Sequence, residues 1–116
     1  MGKVKSLTPK TVDLLIKKAN QNKLITFEEV ANHIGTHPRV VGRILWLIGG
    51  LCSNKKLPPL TAIIIRADTR KPGEGFWVLF PEVQESDRDD KWAALLKEVY
   101  SFDWWKVARE LYDGES

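Results

Sequence analysis

At 116 residues the chain is long enough for one hydrophobic core and too short for two. Its hydrophobic fraction of 43% and charged fraction of 28% are those of a globular protein, and no apolar run approaches the roughly 20 residues of a membrane span. The net charge of +3 divides unevenly: residues 1–71 hold thirteen Lys/Arg against four Asp/Glu (+9), and residues 72–116 hold five against eleven (−6).

A basic first part of this kind points to a polyanionic partner, most often nucleic acid, and an acidic second part to a shield or a protein-facing surface. The single cysteine, Cys52, cannot form an internal disulfide, and no Cys/His cluster marks a zinc site. Met1-Gly-Lys-Val-Lys5 has no apolar stretch after its lysines, so no signal peptide, no membrane contact and a reducing, cytoplasmic location are expected.

In chain order, residues 1–6 read as a basic leader. Thr8-Pro9 reads as the start of a first helix running to about Asn22, with Val12, Leu15, Ile16 and Ala19 at helical spacing. Thr26-Phe27-Glu28-Glu29 has the form of a capping box, opening a second helix that Gly35 stops after Ile34. Thr36-His37-Pro38 starts a third helix, expected to reach about Leu51, and the pair makes a helix-turn-helix pattern. The isoleucine-rich segment Thr61–Arg66 reads as a buried strand. Asp68–Gly75 reads as a turn holding Arg70 and Lys71, and Phe76–Phe80 as the returning strand. After an acidic linker over residues 82–90, Trp92, Leu95, Leu96 and Val99 mark a fourth helix, and Trp104, Val107, Ala108 and Leu111 a short fifth. The expected fold class is therefore α+β. It is a winged helix-turn-helix, three helices plus a β-hairpin wing, over residues 1–81. Two added C-terminal helices within residues 82–116 pack on the same domain.

The third helix has two faces. Val41, Ile44, Leu45 and Ile48 form an apolar stripe, and Arg39, Gly42, Arg43 and Trp46 form a basic and aromatic one. Glycine inside a helix costs about 1 kcal/mol relative to alanine, so Gly42 has a reason to be there. One reason is close approach of a DNA strand; the other is tight packing against another helix. Arg39 can reach a base edge, or pair with Glu28 or Glu29 across the turn. His37 can cap the helix or contact phosphate. Lys55, Lys56, Arg66, Arg70 and Lys71 gather around the expected wing, where they would meet phosphates.

The candidates for chemistry are weaker. Cys52 lacks a neighbouring base and reads as a structural cysteine. His33 and His37 are four apart, but Gly35 breaks the helix between them, so no metal is expected. Gly73-x-Gly75 lacks the third glycine and the strand-to-helix setting of a nucleotide loop, so no cofactor is expected. Asp87-Arg88-Asp89-Asp90 could hold a divalent ion or supply negative charge at a helix start. The tail from Trp92 to Tyr112 is rich in Trp and Tyr, and serves either as core or as a protein interface.

Ile25-Thr-Phe-Glu-Glu-Val-Ala-Asn-His-Ile-Gly35, followed by Arg39-Val-Val-Gly-Arg43, resembles the DNA-binding C-terminal domain of DNA alkyltransferases and alkyltransferase-like proteins. The resemblance covers about residues 24–76 and takes in Pro58-Pro59-Leu60-Thr-Ala-Ile-Ile-Ile65. It implies that Arg39 stands for the family's arginine finger, which enters the duplex as a base is flipped out. It implies that Phe27 stands for the tyrosine that helps rotate the target nucleotide, and that Gly73–Phe76 sits at the substrate-side loop. Repair alkyltransferases follow the strand with Pro-Cys-His-Arg; here Ile65-Arg66-Ala67-Asp68 stands there, with no alkyl acceptor. The expected function is non-catalytic double-stranded DNA binding, with sensing of a modified or flipped base. The alternative is a small interaction or regulatory subunit that binds a protein through the C-terminal helices.

Overall fold

The computed structural model describes the backbone of residues 2–112 and the side chains from Leu7 to Tyr112. Helix α1 (Gly2–Asn20) begins upstream of the expected Thr8-Pro9 start and carries Pro9 inside it. Its expected stripe is fully buried, Val12, Leu15, Ile16 and Ala19 all being 0% exposed, and it packs against helices α3 (Pro38–Asn54) and α6 (Ala108–Tyr112). Asn22, in the left-handed region at φ 57°, turns the chain after α1, and the Lys23 N–H donates back to the Lys18 carbonyl at 3.0 Å.

Helix α2 (Phe27–Ile34) opens on the capping box: Thr26 Oγ1 accepts from the Glu29 N–H at 3.2 Å, and the Thr26 N–H donates to Glu29 Oε1 at 2.9 Å. That second bond holds the Glu29 carboxyl below its ordinary range. Gly35 ends the helix at φ 74°, a conformation that disfavours a side chain. Three residues later α3 begins. It outruns its expected end at Leu51 and is closed by Lys56 at φ 59°, with the Leu57 N–H bonded to the Cys52 carbonyl at 2.8 Å.

The β-hairpin wing is not formed, and the winged helix-turn-helix assignment is corrected. Leu60–Ile63 is a 3₁₀ turn, and only Ile64–Ile65 is strand (β2). β2 pairs in parallel with β1 (Ile25–Thr26), in the register Ile25 with Ile64 and Thr26 with Ile65. Phe76–Phe80 pairs with nothing as a strand; Glu74–Trp77 forms the short helix α4. The reason lies in the pattern: a short apolar run reads equally as strand or helix. Here Phe76 and Phe80, one helical turn apart, close against Trp77 with ring centroids 5.0–6.3 Å apart. The Leu79 and Phe80 N–H groups meanwhile bond locally, to the Phe76 and Trp77 carbonyls. The chain is thus mostly helical, with a two-stranded parallel sheet beside the α2–α3 pair.

Helix α5 (Arg88–Ser101) starts inside the expected linker, with Asp89 and Asp90 in its first turn, where the helix dipole favours them. Arg88 Nη1 reaches Glu74 Oε2 at 2.8 Å while its guanidinium lies 5.4 Å from the Trp77 ring centre, which fastens α4 to α5. Trp92 Nε1–H donates to the Ala62 carbonyl at 2.8 Å. The expected fifth helix splits into a 3₁₀ turn (Trp104–Lys106) and α6. Leu95, Val99, Trp104, Ala108 and Leu111 are buried, and the Tyr112 hydroxyl donates to Asp13 Oδ1 at 2.6 Å, so the C-terminal segment closes back on α1. Among the described residues no helix is long and apolar enough to cross a membrane.

Candidate nucleic-acid interface

His37 caps α3 with its side chain: Nδ1 accepts from the Arg39 N–H at 3.1 Å, and Pro38 occupies the first turn. Val41, Ile44 and Ile48 face the core at 0% exposure. Arg39, Gly42 and Arg43 are exposed, and Trp46 is 57% exposed. The expected basic and aromatic stripe therefore faces outward. Among the described residues neither Arg39 nor Arg43 forms an ion pair, and Glu29, one of the two carboxylates within the expected reach of Arg39, is engaged in the α2 cap.

Gly42 meets no internal demand. A Cβ built on it would find nothing within 4 Å, and its φ is not positive. Packing against another helix of this chain therefore does not explain it. Gly49 is the contrast: a Cβ there would lie 3.0 Å from Leu79 Cδ1.

Beside this stripe an apolar cavity of about 140 Å³ opens between α3, the start of α2, β2 and α4. Phe27, Leu45, Trp46, Ile64, Phe76 and Leu79 wall it, with Gly42, Gly49, Gly73 and Gly75 leaving room and the Thr61 hydroxyl as a polar group. Its size is close to that of a roughly 150 Å³ protein cavity that admits a benzene ring. A second cleft adjoins it, between Phe27, Pro38 and Arg39 on one side and Arg66, Asp68 and Gly73 on the other. Phe27 and Gly73 border both spaces, so Phe27 stands between the apolar cavity and Arg39. Leu45, Thr61 and Ile64 were not among the site residues read from the sequence, and Phe76 entered only through the substrate-side loop that the resemblance implied. Leu45 counted as core; its place at the edge of the apolar stripe, next to Gly42 around the helix, was the available signal.

The cations expected on a wing divide into two sets. Arg66 is held by Asp68 through Nε and Nη2 at 3.0 and 2.8 Å, and that hydrogen bonding pulls the Asp68 carboxyl down to about 2. This pair therefore stays ionised through the mildly acidic range and loses its charge only as the pH falls towards 2. Lys71 Nζ lies 3.0 Å from Asp89 of α5, and Lys55 Nζ 3.7 Å from Glu110 of α6. Lys56 and Arg70 are exposed and, among the described residues, without an ion pair. Arg70 sits at φ 60° in a tight turn closed by the bond from the Arg66 N–H to the Lys71 carbonyl at 2.9 Å. Part of the positive charge of residues 1–71 is thus met by carboxylates of the acidic second part.

Cys52 is 0% exposed on the core side of α3, and burial pushes its thiol up to about 11. It is far from a reactive thiolate at neutral pH. Iodoacetamide should leave the native protein unlabelled and modify Cys52 only under denaturing conditions; rapid native labelling, read by mass spectrometry, would contradict this placement. Among the described residues no group of three metal-ligating side chains gathers. No protein-family profile matches the chain, and neither a curated protein nor a solved structure matches it significantly.

Proposed function

We propose that this chain is a non-catalytic double-stranded DNA-binding protein of the cytoplasm. Its helix α3 would approach a groove, and its cavity would take an everted base. The observation that carries the reading is the continuity of the outward Arg39–Gly42–Arg43–Trp46 face, whose guanidinium groups form no ion pair among the described residues, with an apolar cavity of one-ring size. Free guanidinium groups supply phosphate and base contacts, and a helical glycine without an internal role lets a backbone strand come close. The cavity offers few groups to the polar edge of an ordinary base, whose burial there would leave hydrogen bonds unmade. A base whose polar edge is masked by alkylation fits it better. The resemblance of residues 24–76 to alkyltransferase-like proteins supports the same reading, with Phe27 on the wall of the cavity, Arg39 on the adjoining cleft and no acceptor cysteine.

The test is a binding comparison on plain, mismatched and O-alkylated duplexes across a salt series. Affinity should fall steeply with salt, because phosphate neutralisation releases counterions, and should be highest on the modified duplex. Affinity that is flat with salt, or equal on all three duplexes, would reject the reading.

Gly42 gives a separate check with opposite signs. Gly42→Ala should stabilise the free protein by about 0.5–1 kcal/mol, since alanine is the better helix former. The same methyl group should weaken duplex binding. Gly50, also helical with nothing within 4 Å of a built Cβ, is the control: Gly50→Ala should stabilise the protein and leave binding alone. Urea midpoints and fluorescence anisotropy read the two effects. Tight binding by Gly42→Ala would remove the close-approach role.

The interaction-subunit reading draws less support. Of the three indoles in the tail, Trp104 is in the core and Trp92 is bonded to Ala62, leaving Trp105, 52% exposed, as the outward anchor; Tyr100, Phe102 and Tyr112 pack against the core.

A further inference from the structure

We infer that Trp46 is a second insertion point into the same duplex, stacking on base planes at most about three steps from the place where Arg39 enters; this rests on the DNA reading above. Trp46 is 57% exposed. Of the other four indoles three are engaged within the chain: Trp92 and Trp104 donate to carbonyls, and Trp77 lies among Phe76, Phe80 and the Arg88 guanidinium; Trp105, 52% exposed, belongs to the acidic C-terminal segment and not to the stripe of Arg39 and Arg43. Among the described residues, the Trp46 ring has no aromatic or cationic neighbour in stacking range and its Nε1–H no acceptor. A large flat side chain left in this state on a helix face is a contact surface rather than a packing element.

Its company identifies the partner. Trp46 shares its stripe with two guanidinium groups that form no ion pair among the described residues, and with Gly42 it separates the shallow groove along α3 from the apolar cavity. An aromatic ring beside unpaired cations is the arrangement that stacks on bases while holding their phosphates. The spacing sets the register. Seven residues of helix advance about 10.5 Å, and base planes follow at about 3.4 Å. Arg39 and Trp46 are therefore presented at most about three base steps apart, fewer as the helix inclines to the duplex axis.

The groove supplies the mechanical reason for two insertions. A helix with its side chains is about 10–12 Å across, and the minor groove of ordinary duplex DNA is about 6 Å wide. In the minor-groove approach that the resemblance implies for Arg39, the helix comes close only if the groove opens, and an aromatic wedge between base steps bends the duplex in the direction that opens it. Arg39 at one end and Trp46 at the other would hold the opened segment between them, with Gly42 between the two.

The experiment uses the full chain and a modified duplex carrying a fluorescent donor and acceptor at its ends. Wild-type protein should bind it and bring the dyes closer. Trp46→Leu should bind roughly tenfold more weakly and bend the DNA less. Trp46→Phe, which keeps a stacking ring, should recover most of both effects. The salt slope should be unchanged in either variant, since no phosphate contact is lost, and melting should match wild type at so exposed a position. Trp46→Leu that binds and bends like wild type overturns the inference while the DNA reading stands, and so does a salt slope that falls together with affinity. Wild-type protein that binds no duplex overturns the DNA reading and the inference with it.

Discussion

Trp104→Ala should destabilise the protein by about 3–5 kcal/mol, the range for removing a fully packed large aromatic. Small domains hold only about 5–15 kcal/mol in total, so this one change would consume much of the fold's stability. The side chain is 0% exposed, and its Nε1–H donates to the Val99 carbonyl at 2.8 Å, near the C-terminal end of α5. The ring centre lies 4.7 Å from that of Phe102, and the residue belongs to the same buried cluster as Val12, Leu15 and Ile48. Alanine would leave a large void and remove the stronger of the two hydrogen bonds at the Val99 carbonyl, the Phe102 N–H at 3.5 Å remaining. Trp104→Phe separates the two terms: it restores most of the volume and should cost only the hydrogen bond and a smaller gap. Trp105→Ala, next along the chain but 52% exposed, should change stability by less than about 0.5 kcal/mol. Urea titrations of the three variants decide the matter. If Trp104→Ala unfolds at the wild-type midpoint, the C-terminal helices are an appendage and not part of the core.

The local signals in the sequence carried the first half of the fold. The Val12–Ala19 stripe, the Thr26–Glu29 box, the Gly35 stop and the His37-Pro38 start each act within a few residues, and each does in the structure what its chemistry dictates. The second half depends on long-range choices that local pattern does not encode. Ile64 and Ile65 could pair with the next apolar run or with a strand about forty residues earlier; the parallel pairing to Ile25 and Thr26 won. Phe76–Phe80 then had no strand to complete, and its aromatic side chains closed on each other and on α5 instead. The candidate site shows the same division. The outward stripe of α3 followed from helical spacing alone. The cavity behind it did not, because Leu45, Thr61, Ile64 and Phe76 come from four separate elements. Nor did the sequence reveal which cations are free, since Lys55 and Lys71 are met by Glu110 and Asp89 across 55 and 18 positions.

Arg39→Ala and Arg43→Ala should lose DNA binding in different ways. Both side chains are exposed and, among the described residues, unpaired, so neither change should unfold the protein. Their surroundings differ. Both line the shallow groove along α3, but Arg39 also borders the cleft that it shares with Phe27, which in turn walls the apolar cavity. Arg39 is also held at the helix start, where its N–H is fixed on His37 Nδ1, so its guanidinium projects from an anchored backbone. An arginine on the cleft beside a cavity of one-ring size can fill the gap that an everted base leaves, or read the edge of its neighbour. Arg39→Ala should therefore cost about 1–3 kcal/mol on the modified duplex and less on plain DNA, so that discrimination shrinks. Arg43, one turn further and away from the cavity, is placed for phosphate. Arg43→Ala should weaken every duplex by a similar factor and lower the salt slope by about one. A double variant with the two losses adding would show that the roles are independent. Equal losses from both single variants on every duplex would make Arg39 one more phosphate contact and leave α3 a basic surface without a finger.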